Sequence, residues 1–210
     1  MVSTLNNMVK VVVFDCDGVM FDTENANRMY YNTILLHFKR PPLSQDQFVY
    51  VHMSTVKEAI AFLFNDREDL TDVFDFCKTM SYDPLIPHMR IEPNLMPLLS
   101  GLKSHYKTAI ATNRSNTMPA VLNHFKLDPF FDMVVTSLDV ENPKPHPEQL
   151  IKIMNHFHAK PDEILYIGDS KTDEQAANKA RVLFVSFNNP SLEAHYHVRD
   201  LKEVETLLNL

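Results

Sequence analysis

Glycine is scarce in this sequence. The chain of 210 residues has 3 glycines, whereas an average usage of about 7% predicts roughly 15. Where glycine is this rare, each one that remains is expected to meet a backbone need, either a positive φ angle or the close approach of another group. Gly18 and Gly168 lie beside acidic residues, in the pairs Asp17-Gly18 and Gly168-Asp169. Gly101 follows a helical pattern and is interpreted as an ordinary helix C-cap.

Other absences narrow the class of protein. The 2 cysteines, Cys16 and Cys77, are too few for a disulfide framework and favour a reducing cytoplasm. No apolar run approaches the length that spans a membrane, and the N-terminus lacks the layout of a signal peptide, so no membrane partner is expected. The formal net charge is -7, and without a basic run this disfavours a nucleic-acid partner. Any anion site must therefore be locally positive.

The chain is organised around residues 11–19, with the sequence Val-Val-Val-Phe-Asp-Cys-Asp-Gly-Val. The run of β-branched and aromatic residues is typical of a strand buried on both faces, in the middle of a parallel sheet covered by helices. This predicted strand, residues 9–14, is followed by Asp15 and Asp17. Ligands bind outside the carboxyl ends of such strands, so both carboxylates lie where an open α/β sheet carries its chemistry. The alternative interpretation is a solvated Asp-x-Asp-Gly turn.

Helical patterns fill residues 20–88 with no convincing strand, and one of these helices is predicted over 66–80. Strands then alternate with helices, the strands being predicted at 107–111, 133–135, 164–167 and 182–185. Alternation of this kind predicts a parallel sheet with right-handed crossovers. The predicted fold class is α/β, a Rossmann-like parallel sheet core flanked by helices (residues 1–19 and 89–210). A small all-helical cap domain (residues 20–88) is inserted after the first strand.

Polar side chains follow each predicted strand of the core. They are Asp15 and Asp17, then Thr112 and Asn113, then Lys144, and finally Asp169, Ser170 and Asp173. Taken singly, each also fits a helix cap, a surface lysine or a helix-start acid, but four strand ends in order with these residue types are hard to obtain by chance. The carboxylates suit Mg²⁺ and not zinc. Thr112, Asn113 and Lys144 supply hydrogen-bond donors for a phosphoryl group.

These segments resemble the four ordered motifs of the haloacid dehalogenase superfamily. The matching segments are Asp15-Cys16-Asp17-Gly18-Val19, Thr112-Asn113, Lys144-Pro145 and Gly168-Asp169-Ser170-Lys171-Thr172-Asp173. The helical insertion is similar to the small helical cap of that superfamily, and the closest resemblance is to its phosphoglycolate phosphatase and β-phosphoglucomutase group. Relatives often have a glycine where this chain has Arg181, a departure that concerns the turn after the helix and not the chemistry.

The resemblance implies a catalytic role for several of these residues. Asp15 would be the nucleophile that forms an aspartyl-phosphate, and Asp17 would protonate the leaving oxygen and then activate the attacking water. Thr112, Asn113 and Lys144 would bind the phosphoryl group. The cap would close over the site, exclude water and select the leaving group.

The resemblance also implies Mg²⁺ as a cofactor. Asp169 would bind the metal together with Asp15 and the backbone carbonyl of Asp17, and Asp173 would support this set of ligands. The metal and Lys144 would together offset the negative charge of the carboxylates, which otherwise keeps an aspartate away from a phosphate dianion.

The expected function is therefore that of a Mg²⁺-dependent phosphatase acting on a small phosphorylated metabolite, similar to phosphoglycolate or a sugar phosphate. Asp17 favours phosphate esters, because relatives that cleave carbon–halogen or carbon–phosphorus bonds usually lack an aspartate there. One alternative is a sugar-phosphate mutase, whose cap would hold a bisphosphate and exclude water. Another is a non-catalytic phosphate-binding regulator, which would be expected to have lost catalytic residues. Many relatives are monomers or weak homodimers, and the sequence does not decide between the two.

Candidates for contact with the substrate lie in the predicted cap. They are Glu24, Asn27, Arg28, His52, Ser54, Thr55 and Lys57. Each of these positions also fits a solvated helix face. The substrate depends on the shape of the cap, which resemblance of the fold does not fix.

Overall fold

The structure, a computed structural model, describes residues 5, 8–52, 54 and 56–210. Its strands are β1 (Val11–Phe14), β2 (Phe21–Asp22), β3 (Arg90–Ile91), β4 (Lys107–Ala111), β5 (Met133–Val135), β6 (Ile164–Gly168), β7 (Leu183–Phe187) and β8 (Tyr196–Val198). Its helices are α1 (Glu24–His37), α2 (Gln45–His52), α3 (Val56–Leu63), α4 (Thr71–Thr79), α5 (Leu95–Leu102), α6 (Met118–Phe125), α7 (Glu148–Phe157), α8 (Lys171–Ala180) and α9 (Leu201–Leu208).

A 6-stranded parallel sheet has the strand order β5-β4-β1-β6-β7-β8. Along the chain, the sheet grows from β1 through β4 to β5 on one side, and then from β6 through β7 to β8 on the other. The winding therefore reverses around β1, and open α/β sheets bind ligands at the carboxyl ends of the strands at such a point. The predicted fold class, a Rossmann-like parallel sheet flanked by helices, is confirmed.

Strand β1 lies in the middle of this sheet, and all of its residues are buried. It pairs with β4 and β6 so that Phe14 lies beside Ile110 and Ile167. The three strands therefore end at the same level, and the residues that follow them emerge at one edge of the sheet.

One face of the sheet is covered by α7 and α8. Val13 of β1 and Tyr166 of β6 share a core cluster there with Ala176 and Ala177 of α8. The two alanines allow the helix to approach the sheet closely, since they have no side chain beyond Cβ. This close packing brings the first turn of α8 near the end of β6.

The chain divides into two compact units. One comprises Met1–Asp22 and Ile91–Leu210 and contains the parallel sheet, and the other is Thr23–Arg90. The second unit contains α1 to α4 around a core of its own, which includes Ile34, Ile60 and Phe64. No helix among the described residues is long and apolar enough to cross a membrane.

Non-glycine residues take the left-handed conformation at the ends of several helices. The C-caps of α6, α7, α8 and α9 have φ angles of 50–60° and are Lys126, His158, Arg181 and Asn209. Glycine is the usual residue at such positions because it has no Cβ to collide with the backbone. Because glycine is scarce, several helices end on residues that are strained in this conformation. The turn after α8 forms in this way, with Arg181 as its left-handed residue.

Two sequence-based expectations about helices are wrong, and the short strands β2, β3 and β8 lie outside the predicted strands, although residues 20–88 were expected to contain no strand. Helix α5 continues through Gly101 to Leu102, whose fully buried side chain anchors the last turn, so Gly101 is not a C-cap. The helix expected over 66–80 begins only at Thr71. Strand β8 was not predicted, because its three residues at the sheet edge carry little hydrophobic pattern.

Candidate active site

The functional side chains expected at the strand ends gather at the edge where β1, β4 and β6 end. Asp15 follows β1 and is buried. Asp169 follows β6, and Asp173 lies one helical turn further on, in the first turn of α8. Thr112 follows β4 and is also buried.

Lys144 joins two of these aspartates. Its Nζ lies 2.7 Å from Oδ1 of Asp15 and 2.6 Å from Oδ1 of Asp173. It also donates a hydrogen bond of 3.0 Å to the hydroxyl of Tyr166. The Lys144 side chain is 2% exposed, so its ammonium is shielded from water and fully surrounded by protein acceptors.

Hydrogen bonds to both of its carboxylate oxygens hold Asp173 in place. Oδ2 accepts hydrogen bonds from the backbone N–H of Ser170 at 3.0 Å and from the Ser170 hydroxyl at 2.5 Å. Oδ1 accepts from the Tyr166 hydroxyl at 2.6 Å as well as from Lys144. Ser170 and Asp173 thereby form a capping box at the start of α8, which holds this carboxylate in one orientation.

The charges of this cluster shift the pKa values of its members. Burial raises the pKa of Asp15 well above its ordinary value, and the neighbouring charge of Asp173 adds to this effect although Lys144 opposes it. Burial and Asp173 also raise the pKa of Asp169, to about 7. Burial alone would raise the pKa of Asp173, but the charge and hydrogen bond of Lys144 bring it below its ordinary value. The site therefore holds more carboxylate than its single buried ammonium neutralises.

Three carboxylates of this cluster have the chemistry of a divalent metal site. Asp15, Asp169 and Asp173 each offer an oxygen, and these oxygens lie within 4.8 Å of one another. Hard carboxylate oxygens are the ligands that Mg²⁺ prefers. The raised pKa values of Asp15 and Asp169 are also those of a site that lacks enough positive charge, so the residues fit a bound cation.

Gly18 and Gly168 permit the close packing around this cluster. Gly18 has a φ of +83°, and a Cβ atom built on it would lie 2.1 Å from a carboxylate oxygen of Asp169. A Cβ on Gly168 would lie 2.5 Å from Cβ of Asp173. The expectation that these two glycines meet a backbone need is therefore confirmed, and the need is the close approach of two site aspartates.

The loops after β4 and before α7 are tied together. The Asn113 side chain donates to the backbone carbonyl of Lys144 at 2.9 Å and accepts from its N–H at 3.0 Å. The backbone carbonyl of Thr112 accepts a 2.7 Å hydrogen bond from the buried side chain of Gln149. The amide of Asn113 thus holds the backbone of Lys144, whose peptide bond to Pro145 is cis.

Asp17 is turned toward a residue that the sequence analysis did not single out. Its carboxylate forms a two-pronged ion pair with Arg114, with Nη2 at 2.5 Å and Nε at 3.2 Å. Tyr166, which contacts both Lys144 and Asp173, was also missed. A polar hydroxyl within the otherwise apolar strand 164–168 was the available signal for Tyr166, and a cation two residues after Thr112 was the signal for Arg114.

Two of the candidate substrate residues in the helical unit, Arg28 and Asn27, make side-chain contacts within that unit. Arg28 donates to Gln45 at 2.9 Å and lies 3.9 Å above the ring of Phe48. Asn27 lies 3.2 Å from Nδ1 of His52 and accepts from the hydroxyl of Tyr82 at 3.3 Å. The remaining candidates are Glu24 and Lys57, which are exposed, and Ser54, which is half-buried. Thr55 lies outside the described residues.

Comparison with known proteins identifies similar chains. The sequence model of the family described as Haloacid dehalogenase-like hydrolase matches residues 12–187. The Pyrophosphatase PpaX of Bacillus cereus (strain ATCC 10987 / NRS 248) is 32% identical over 181 residues, which cover 79% of this chain and 76% of that protein.

Solved structures agree with the sequence match. The crystal structure of a HAD-superfamily hydrolase of subfamily IA from Geobacter sulfurreducens PCA has a TM-score of 0.85 and 37% identity, covering 96% of this chain and 97% of that chain. A Lactobacillus plantarum protein with a provisional assignment as a phosphoglycolate phosphatase has a TM-score of 0.84 and 19% identity, covering 95% and 99% of the two chains. At that identity, the second likeness shows the fold alone.

Proposed function

Because this chain belongs to the haloacid dehalogenase-like hydrolase family, we propose that it is a Mg²⁺-dependent phosphatase of a small phosphorylated metabolite. The observation that carries the proposal is the contact of Lys144 with Asp15 and Asp173 at the sheet edge, with Asp169 in the same carboxylate cluster. This arrangement sets a nucleophilic carboxylate beside a fixed cation and a candidate metal site.

Asp15 is the proposed nucleophile. One of its carboxylate oxygens attacks phosphorus, and the bond between phosphorus and the leaving oxygen breaks while Asp17 gives that oxygen a proton. A water molecule then attacks the aspartyl-phosphate, and Asp17 accepts its proton. Phosphate departs and both carboxylates return to their starting state, as expected for covalent catalysis with one acid–base group.

Asp15, Asp169 and the backbone carbonyl of Asp17 are the proposed ligands of Mg²⁺, and Asp173 supports them from the start of α8. When bound, the metal supplies positive charge that offsets the repulsion between these carboxylates and an incoming phosphoryl group. Asp173 is suited to a supporting role because its oxygens already accept hydrogen bonds from Ser170 and Lys144.

Thr112 and Lys144 are the proposed binding groups for the phosphoryl oxygens. Lys144 is held in place by its neighbours, so little side-chain freedom remains to be lost when a phosphoryl group binds. Asn113 contributes by fixing the backbone of Lys144 through its own amide. The helical unit remains the proposed cap, and Glu24, Arg28, Thr55 and Lys57 remain candidates for contact with the leaving group. These candidates rest on sequence position alone.

Phosphate release from a panel of phosphorylated metabolites, with and without Mg²⁺, tests this proposal. We expect metal-dependent release that falls by more than roughly a thousandfold in Asp15→Asn, since the nucleophile is lost. Asp162→Asn is the matched control, because Asp162 is exposed near the opposite end of β6. Release that survives Asp15→Asn would contradict the assigned nucleophile. A folded protein that releases phosphate from no compound would favour a mutase or a binding role.

A further inference from the structure

Asn189 lies in the turn after β7 and contacts the backbone of Asp169. Its side-chain Nδ2 donates a 2.8 Å hydrogen bond to the carbonyl oxygen of Asp169. The contact joins the ends of two neighbouring strands, because β6 and β7 pair with Gly168 beside Ser186. Asn189 is therefore bound directly to the main chain of a proposed metal ligand.

The turn determines which end of the Asn189 amide faces Asp169. Its Oδ1 accepts hydrogen bonds from the N–H of Ser191 at 3.2 Å and from the Ser191 hydroxyl at 2.7 Å. The backbone carbonyl of Asn189 accepts a 2.6 Å hydrogen bond from the hydroxyl of Ser186, which is fully buried in β7. Because an amide oxygen accepts and an amide nitrogen donates, Nδ2 is the group that faces the Asp169 carbonyl.

The peptide group between Asp169 and Ser170 is held on both sides. Its carbonyl oxygen accepts from Asn189, and its N–H, which belongs to Ser170, donates to Oδ2 of Asp173 at 3.0 Å. The carbonyl and the N–H of a trans peptide group point in opposite directions, so these two contacts fix the plane of the group. The carboxylate of Asp169 therefore projects from a backbone whose rotation is restrained.

Mg²⁺ and Ca²⁺ differ in what they require of such a ligand. Mg²⁺ requires nearly octahedral geometry with oxygens at about 2.0–2.1 Å, whereas Ca²⁺ accepts about six to eight oxygens at about 2.3–2.6 Å in flexible arrangements. Loss of restraint on a carboxylate should therefore weaken Mg²⁺ binding more than Ca²⁺ binding. Groups that orient a ligand without touching the metal typically contribute roughly 10- to 100-fold in affinity.

We propose that Asn189 is a positioning residue that makes the carboxylate cluster selective for Mg²⁺ over Ca²⁺, because it holds the backbone of Asp169. This inference rests on the proposed function, in which Asp169 is a metal ligand. Asn189 acts through Asp169 and does not itself bind the metal. Its amide is neutral, so its effect is on the geometry of the ligand and not on the charge of the site.

Thermal unfolding of metal-stripped protein, titrated with Mg²⁺ or with Ca²⁺, gives an apparent Kd for each ion from the rise in Tm. We expect Asn189→Ala to weaken Mg²⁺ binding by roughly tenfold or more and Ca²⁺ binding by less than about threefold. The ratio of the two Kd values should therefore shift against Mg²⁺. A wild-type ratio in Asn189→Ala would overturn the inference.

Asn189→Asp separates the contact with Asp169 from the turn itself. The new carboxylate keeps an oxygen for the donors of Ser191 but has no N–H to donate to the carbonyl of Asp169. Its added negative charge attracts both divalent ions alike, so this effect cancels in the ratio of the Kd values. We expect the ratio to shift as in Asn189→Ala. A ratio that stays at the wild-type value would show that the turn, and not the contact with Asp169, sets the selectivity.

Asn94→Ala is the matched control. Nδ2 of Asn94 donates a 2.7 Å hydrogen bond to Oδ1 of Asp200, and this contact joins the N-caps of α5 and α9 in the sheet-containing unit. Its loss should lower the Tm without changing the ratio of the Kd values. An equal shift of the ratio in this variant would mean that any loss of stability has the same effect, which would count against the inference.

The wild-type titrations separate this inference from the proposed function. If neither ion raises the Tm of the wild-type protein, the proposed metal site fails, and the role of Asn189 fails with it. If the wild-type protein prefers Mg²⁺ and both Asn189 variants keep that preference, only the inference fails. A wild-type protein that binds both ions equally well would also overturn the inference, while the proposed Mg²⁺-dependent phosphatase would stand.

Discussion

At the residue scale, the charges of the candidate active site are arranged around the ammonium of Lys144. It is surrounded by Asp15, Asp173 and the hydroxyl of Tyr166, and each lies within 3.0 Å. A buried charge is tolerated only when its partners are complete, because an unpaired one loses its hydration without compensation. Tyr166 completes the set by contacting the cation and one of its anions, so it positions both.

The variant Tyr166→Phe tests this positioning role. Loss of the hydroxyl removes the donor to Asp173 and an acceptor for Lys144, which should lower the free energy of unfolding by about 1–2 kcal/mol. We also expect kcat/KM to fall roughly three- to tenfold, because Lys144 is held less firmly against a bound phosphoryl group. Urea unfolding and steady-state kinetics measure the two effects.

Tyr106→Phe is the control for that experiment. Tyr106 is also buried in the sheet-containing unit, and its hydroxyl donates to the carbonyl of Leu208 at 3.3 Å, away from the candidate site. Its loss should change stability without changing kcat/KM. If Tyr166→Phe likewise changes stability alone, Tyr166 has a structural role and does not position Lys144.

At the scale of the elements, the helix ends show how a chain with so few glycines forms its turns. Arg181 follows α8 with a φ of 60° and a ψ of 30°, and its N–H closes the helix on Ala177 and Asn178. A residue with a Cβ is strained in this left-handed region by roughly 1–2 kcal/mol. The strain lies on an exposed turn, so it can be removed without disturbing the core.

Arg181→Gly should therefore raise the free energy of unfolding by about 0.5–1 kcal/mol, the relief of strain being partly offset by the greater freedom of glycine in the unfolded chain. The urea midpoint, at unchanged m value, measures this gain. Arg181→Ala keeps the Cβ and should give no gain. A gain of equal size in Arg181→Ala would mean that the guanidinium, and not the backbone, is the cause.

The sequence predicts elements well where burial leaves a local pattern. Strand β4 has the bounds predicted for it, 107–111, and its apolar residues Ala109, Ile110 and Ala111 form a continuous run that is followed by Thr112. Strand β8 leaves no such pattern, since its place at the sheet edge depends on pairing with β7.

Site residues follow the same rule. The aspartates and Lys144 occur in recognisable segments, and the structure brings Asp15, Asp169, Asp173 and Lys144 together. The contacts of Arg114 with Asp17, and of Tyr166 with Lys144, join residues 97 and 22 positions apart in the sequence. Local spacing contains no information about such contacts, because only the folded sheet creates them.

At the scale of the whole molecule, the parallel sheet concentrates like charge at one edge. The pairing of β1 with β6 brings Asp15 within reach of Asp169 and Asp173, which lie far from it in the sequence. The pKa of Asp169 is raised to about 7 by burial and by the charge of Asp173. The folded protein without metal therefore contains a repulsion that the unfolded chain does not have, and a bound cation would remove it.

Asp169→Asn should stabilise the metal-free protein at about pH 8, by about 1–3 kcal/mol, because a disfavoured charge is replaced by a neutral amide. The folded protein keeps the Asp169 proton up to about pH 7, whereas the unfolded chain releases it near pH 4. The free energy of unfolding of the wild-type protein therefore falls as pH rises from about 4 to about 7. The greater stability of the variant disappears as pH falls to about 4. Thermal unfolding across this pH range, with Mg²⁺ chelated, measures the difference.

Mg²⁺ should reverse the order of stability. Added metal is expected to raise the Tm of the wild-type protein and to have little effect on Asp169→Asn, which lacks a proposed ligand.

Asp132→Asn is the control, and its expected effect on the stability of the metal-free protein has the opposite sign. Asp132 accepts hydrogen bonds from Lys107 and from the N–H of Thr108 at the other end of the sheet, so its loss should destabilise the protein with or without Mg²⁺. The contradicting result would be a metal-free Asp169→Asn protein that is less stable than wild type at about pH 8. Asp169 would then make favourable contacts that outweigh the charge repulsion, and the sheet edge would hold no unfavourable charge for a metal to relieve.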